Sequence, residues 1–155
     1  LKTDGTLWVW GNNDSGFLGN NTPNSDDRSS PIQIPGTTWS WIEFGDCVMT
    51  LKTDGTLWSW GYNNRGSLGQ NSRVRYSSPV QVPGTTWATD AGDIWIGRYT
   101  ALAKKTDGTL WVWGQNAYGQ LGQNSVVQRS SPVQVPGTFS SFGGQGTFNM
   151  AIKSL

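Results

Sequence analysis

Side chains do covalent or proton-transfer chemistry only where a nucleophile, a base or a metal ligand is held beside a suitable partner. This chain is thinly supplied with such pairs. It has no histidine, so the usual base near neutral pH is missing. Its one cysteine, Cys47, has no base to draw off its proton and reads as a small buried residue, giving neither disulfide nor metal cluster. Glu43 with Asp46, and Asp90 with Asp93, have the residue types of a two-carboxylate glycosidase but no supporting features around them. Asp14, Asp26 and Asp27 carry the oxygens a calcium ion prefers, yet the run Asn24-Ser25-Asp26-Asp27-Arg28 lacks the spaced D-x-D-x-D-G pattern. It reads as a solvated loop whose arginine offsets its carboxylates. The glycine-rich Gly143 to Thr147 has no following lysine or helix, as a phosphate cradle requires. Asn13-Asp14-Ser15 and Asn20-Asn21-Thr22 match the glycosylation acceptor pattern.

Binding chemistry is better represented. Tyr62, Arg65, Arg73, Arg75 and Tyr76 concentrate guanidinium groups beside aromatic rings, a combination suited to a carboxylate, phosphate or sugar. Trp95 follows a five-residue insertion, and Tyr118 stands in a variable turn. The candidate partner-binding residues are therefore Arg65, Arg73, Arg75, Tyr76, Trp95 and Tyr118. No catalytic residue, cofactor or metal site is expected.

What must position these residues is a repeat. Lys2 to Gly11 reads KTDGTLWVWG; the same letters recur from Lys105 to Gly114, and from Lys52 to Gly61 with one change. A fixed period means one supersecondary unit used several times. Each copy reads as a β-hairpin, its Asp-Gly pair supplying the positive φ values of a two-residue turn. Leu7 and Val9 alternate with Trp8 and Trp10 in the period of a strand. A glycine-rich turn whose one leucine is expected to be buried follows: Asn13 to Gly19, Asn63 to Gly69 and Asn116 to Gly122. Then comes a proline-bracketed strand at Ser29 to Gly36, Ser77 to Gly84 and Ser130 to Gly137, fit for an edge or a strand start. The anchor lysines are spaced by 50, 53 and 48 residues, with the excess confined to single loops. The approximate repeats are 1–51, 52–104 and 105–155 of one array. Trp39, Trp41, Ile42 and Phe44 are expected in the core. Trp8, Trp10, Trp58, Trp60, Trp111 and Trp113 are expected to cement neighbouring units, since an aromatic side chain buries roughly 150 to 250 Å².

The run KTDGTLWxWG…GxLG…SSPVQVPG resembles the regulator of chromosome condensation repeat, most closely its bacterial and phage versions, across essentially the whole chain. The resemblance implies an all-β protein built of β-propeller blades, each a four-stranded antiparallel sheet, with three blades present of a seven-bladed ring. The family's strand before the TDG turn usually carries a histidine. Cys47, Thr100 and Phe148 stand at or beside that place, so nothing attributed to that histidine transfers to this chain.

Composition limits the partners. Eleven basic and ten acidic residues leave a net charge of +1, which argues against a polybasic surface for nucleic acid or anionic lipid. No apolar run reaches the roughly 18 residues of a membrane span. Three repeats fall short of the four to eight blades of closed propellers, so the array is expected to be part of a larger chain or of an oligomeric assembly. The expected function is non-catalytic: a structural or interaction module that binds a protein or glycan partner through its variable loops. Few lysines, one glutamate and many Gly, Asn, Ser and Thr residues suit an extracellular, cell-surface or virion setting. The alternatives are guanine-nucleotide exchange on a small GTPase, which the family resemblance suggests, and a carbohydrate-active enzyme.

Overall fold

The computed structural model describes residues 1–22 and 25–154; Asn24 of the acidic loop lies outside the described residues. The fold is all-β and antiparallel. Strand β1 (Leu7–Gly11) pairs with β2 (Arg28–Ile34) as a two-stranded sheet. A four-stranded sheet follows in sequence order: β3 (Trp39–Phe44), β4 (Cys47–Lys52), β5 (Leu57–Gly61) and β6 (Tyr76–Gln81). The next contains β7 (Ile94–Ile96), β8 (Thr100–Lys104), β9 (Thr109–Gly114) and the first half of β10 (Arg129–Gly144). The second half of β10 leaves that sheet and pairs with β11 (Asn149–Lys153).

These strands amount to three four-stranded blades, cut half a blade out of phase with the letters. Each sequence repeat opens on the last two strands of one sheet and closes on the first two of the next. The middle sheets are complete; the flanking ones are complementary halves, one holding the last two strands of a blade and the other the first two.

The hairpin turn differs from the two-residue form the letters suggest. Gly55 N–H donates to the Lys52 carbonyl at 3.0 Å, Lys52 N–H donates to the Thr56 carbonyl at 2.9 Å, and only Gly55 takes a positive φ, 77°. That is a type I turn over Thr53-Asp54 closed by a left-handed glycine bulge. Asp54 instead uses its carboxylate, whose Oδ1 accepts from the Thr56 N–H at 3.0 Å and Oγ1–H at 2.6 Å; Thr56 Oγ1 in turn accepts from Trp58 Nε1–H at 2.9 Å. Lys52 closes the motif over the Trp58 ring, 4.1 Å from its centroid. The same chain runs through Asp4, Thr6 and Trp8, and through Asp107, Thr109 and Trp111. These hydrogen bonds, Thr hydroxyl first, hold all three carboxyls below the usual carboxylate range.

Each sheet turns an aliphatic face to the next sheet's tryptophan face. Met49, Leu51, Leu57 and Val82 of one pack against Trp87, Ala101 and Trp113 of the other. Leu7 and Ile34 meet Trp39, Val48 and Trp60 in the same way. The expected cement is thus real for Trp60 and Trp113, both fully buried, whereas Trp10, on the first described sheet, is 62% exposed. Phe44, expected in the core, is instead 76% exposed, at the last position of β3 where the strand meets the turn to β4.

The expected proline bracket also shifts. Pro31, Pro79 and Pro132 lie inside strands, but on the outer strand of each blade, where a missing N–H breaks no ladder.

Candidate functional site

The register fixes which loops share an end. Cys47 pairs with Gly61 and Gly61 with Tyr76; Thr100 pairs with Gly114 and Gly114 with Arg129. The β3–β4, β7–β8 and β10–β11 turns therefore open at the same end as the leucine turns, opposite the TDG hairpins.

Those leucine turns are rigid because a buried asparagine sits inside each. Asn63 Oδ1 accepts from the Leu68 N–H at 3.0 Å, while its amide donates to the carbonyls of Ser72 and Val74. Asn116 does the same with Leu121, Ser125 and Val127. Asn13 caps Leu18 and is fully buried, so the glycosylation pattern at Asn13 has no accessible amide. Leu18, Leu68 and Leu121 are buried, as expected.

On this frame the variable side chains form a row. Arg75 lies over the Tyr62 ring, 4.8 Å from its centroid; Tyr62 stacks on Tyr99 at 5.8 Å and 36°; Arg98 lies over Tyr99 at 5.4 Å. The row crosses from one complete sheet to the next. It borders a cleft of about 790 Å³ whose lining includes Trp95, Arg98, Tyr99, Gln115, Tyr118 and Asp46. Tyr99 holds a φ of 64°, a left-handed backbone that an aromatic residue seldom adopts and that surrounding structure must enforce. The Trp95 ring lies over Gly97, where any Cβ would collide with it.

Of the six candidates read from the letters, the fold brings Trp95 and Tyr118 into this cleft and links Arg75 to it through Tyr62. Arg65 and Arg73 are exposed at the same end but outside the lining. Tyr76 sits on β6, half-buried, and packs on the core shared by the first two sheets. Residue type alone does not single out Arg98, Tyr99 or Gln115. Their signal was available: Asp46, Tyr99 and Thr147 occupy one position in the three copies, and three unlike residues there mark a place the scaffold does not dictate.

Three of the remaining polar candidates, Asp93, Asp26 and Asp27, have structural occupations. Asp93 is buried and pairs with Lys104 at 2.6 Å, while its other oxygen accepts from the Asp90 N–H. Asp26 pairs with Arg28 at 2.6 Å, and Asp27 accepts from the Asn13 N–H at 2.8 Å. Among the described residues no group of three or more carboxylate, cysteine or histidine side chains could hold a metal ion. Burial pushes the Cys47 thiol up to about 12. No helix among the described residues is long and apolar enough to cross a membrane.

Comparison with known proteins places this geometry. The Regulator of chromosome condensation (RCC1) repeat profile matches residues 4–46, 54–91 and 107–148, and a second profile of the same description matches 93–120. No curated protein matches the chain. Among solved structures, Prp20p from Saccharomyces cerevisiae, reported with its binding properties to Gsp1p and histones, superposes with a TM-score of 0.80 at 17% identity, covering 100% of this chain and 41% of its own. Yeast RCC1 (Prp20) in the structure with Kap60 gives 0.78 at 18%, covering 96% and 38%. Human WBSCR16 gives 0.71 at 22%, covering 92% and 38%. The chain thus spans about two fifths of the length of these solved propellers.

Proposed function

We infer the role of this chain, which belongs to the Regulator of chromosome condensation (RCC1) repeat family, from the end of the fold where its repeats differ: it is a non-catalytic interaction module that grips a protein partner at the Tyr99 cleft. One observation carries the reading. Repeat-invariant polar groups are spent within the scaffold, whereas Arg75, Tyr62, Tyr99 and Arg98 form an unbroken cation–aromatic row along a cleft edged by Trp95 and Tyr118.

A guanidinium stacked on a ring keeps its edge N–H groups for a carboxylate, and its order is already set before binding. An acidic protein segment with an apolar or aromatic side chain for the cleft fits best. The solved neighbour Prp20p, reported with its binding properties to Gsp1p and histones, lends support to a protein partner rather than a small molecule. A single glutamate, five lysines and Asn-rich loops support an extracellular, cell-surface or virion-associated setting.

The test is binding of the labelled chain to arrays of acidic peptides and of glycans. Peptide binding that falls at least tenfold in both Tyr99→Ala and Tyr118→Ala, with unchanged melting temperature, is expected. Binding that survives both replacements refutes the site, and glycan-only binding refutes the protein partner. Faster nucleotide release from small GTPases, or polysaccharide hydrolysis lost on changing Glu43, would refute the non-catalytic reading.

A further inference from the structure

Taking the Tyr99 cleft as the contact site, we propose that Gln120, buried behind the cleft and outside its lining, is a positioning residue: its side-chain amide sets the spacing between Tyr118 on one side of the binding surface and Arg98 on the other.

Gln120 is 7% exposed. Its Oε1 accepts from the Tyr118 N–H at 3.0 Å, and its Nε2–H donates to the Gly146 carbonyl at 3.2 Å. Tyr118 belongs to the third leucine turn and Gly146 to the β10–β11 turn, so one amide joins loops of successive sheets. Exchanging its oxygen and nitrogen would break both bonds, since Tyr118 offers only a donor there and Gly146 only an acceptor.

Each end of this bridge reaches the binding surface. Tyr118 is 72% exposed, so its ring takes its place from the backbone beneath it rather than from packing. Gly146 is left-handed, at a φ of 62°, and a Cβ there would stand 3.1 Å from Arg98 Cβ; a Cβ on Gly97 would stand 3.0 Å from Gly146 N. The β10–β11 turn is thus wedged against the Gly97–Arg98 backbone. Holding Gly146 therefore holds Arg98, whose guanidinium ends the cation–aromatic row over Tyr99.

The scaffold does not ask for glutamine at this place. Phe17 and Ser67 occupy it in the other two copies. Phe17 fills it with a ring against Gly61, and Ser67 donates within its own turn, to the Tyr62 carbonyl at 3.4 Å. A buried glutamine gives up more water contact and rotamer freedom than either. The bonds that offset this cost both end on residues of the cleft.

Amide hydrogen exchange and peptide binding test the role together, with a labelled peptide carrying glutamates on both sides of one phenylalanine as the probe. Gln120→Met fills a similar volume without either bond, and Gln120→Ser installs the residue that the second copy already holds at this place. In both, exchange of the Tyr118 amide is expected to quicken by about an order of magnitude or more. The peptide should bind roughly three- to tenfold more weakly, the cost of ordering a side chain that is no longer held in advance. Gln120→Glu keeps the acceptor and loses the donor, so it should restore slow exchange at Tyr118 without restoring affinity. Thr109→Ala weakens the same sheet from its opposite end, where it removes the bonds to Asp107 and Trp111, and should leave both readouts unchanged. Circular dichroism checks that each variant is folded.

A peptide lost in Tyr118→Ala but bound by Gln120→Met and Gln120→Ser as tightly as by the unaltered chain leaves the cleft standing and overturns the role of Gln120. Equal losses in Gln120→Met and Thr109→Ala overturn it too, because general destabilisation then accounts for both. Affinity restored in Gln120→Glu would overturn the tie to Gly146. A peptide that binds neither the unaltered chain nor any variant overturns the cleft itself, and the positioning role with it.

Discussion

Alanine at three equivalent glycines separates the scaffold's backbone demand from its packing demand. Gly19, Gly69 and Gly122 close the three leucine turns at φ values of 61°, 71° and 62°. A side chain in that left-handed region costs roughly 1–2 kcal/mol at each. Beyond this common cost the sites diverge. A Cβ on Gly69 would stand 3.1 Å from Trp113 Nε1 and 3.2 Å from a Val82 methyl; on Gly19 it would stand 2.7 Å from Trp60 Nε1; on Gly122 it meets nothing within 4 Å. Both indoles are fully buried and anchored by a hydrogen bond, so neither withdraws without breaking that bond. Overpacking of this kind adds about 1–3 kcal/mol. Gly122→Ala should therefore cost about 1–2 kcal/mol, and Gly69→Ala and Gly19→Ala about 2–5, with Gly19 the larger. Urea denaturation followed by far-ultraviolet circular dichroism measures all three. A double-mutant cycle sharpens the comparison: in a Trp113→Ala background, Gly69→Ala should fall back to the backbone cost alone, a coupling of about 1–3 kcal/mol. Three equal penalties, or a cycle with no coupling, would refute the claim that these glycines are seats for the next sheet's tryptophan.

Acid and thiol chemistry give two more expectations. Asp4, Asp54 and Asp107 are held below their unfolded value, so the unfolded chain takes up protons first as pH falls. Their contribution is complete above about pH 5 and is lost as pH drops from about 3.9 through the lower folded-state values. Replacing all three with asparagine should lower stability near neutrality and flatten the acid limb of a stability–pH curve; an unchanged acid limb would show that the turns do not depend on ionised carboxylates. Cys47, fully buried and pushed up to about 12, should resist alkylation by iodoacetamide at pH 8 and react once denaturant unfolds the second sheet. Rapid labelling of the folded chain would contradict its burial.

How much of this was legible depended on whether a property travels with local letters. The hairpin, the leucine turn and the buried leucines did, because a turn is decided by residues adjacent in sequence. The turn's type did not: Asp54 satisfies a donor through its carboxylate and leaves only glycine left-handed, a choice between two local solutions that both use Asp-Gly. The phase of the sheets was hidden too. Repeated letters mark a unit, but a blade ends where backbone bonds stop, and β10 carries one uninterrupted strand from the outside of one sheet to the first place in the next. Among site residues, Arg75 and Tyr62 stood out by composition. Their link to the cleft runs through Tyr99, on a different sheet and at a position conspicuous only when Asp46, Tyr99 and Thr147 are set side by side.

The division between the two ends of the fold follows from how the hydrogen bonds are spent. At the TDG end, indole donates to threonine and threonine to aspartate in all three copies, a lysine covers the indole, and the glycine carbonyl accepts the N–H that opens the next sheet, as Trp39 to Gly5, Trp87 to Gly55 and Phe139 to Gly108. Replacing the aspartate, the threonine or the indole there breaks a side-chain hydrogen bond within a sheet, so that end is bound to repeat itself. At the other end the buried asparagines satisfy the turns from inside, and side chains on the outer surface are released from holding the backbone. Tyr62, Tyr99 and Tyr118 differ from their counterparts without breaking a hydrogen bond that the buried asparagines make to the turns, and freedom from that duty is what lets an array of near-identical units carry one particular binding surface.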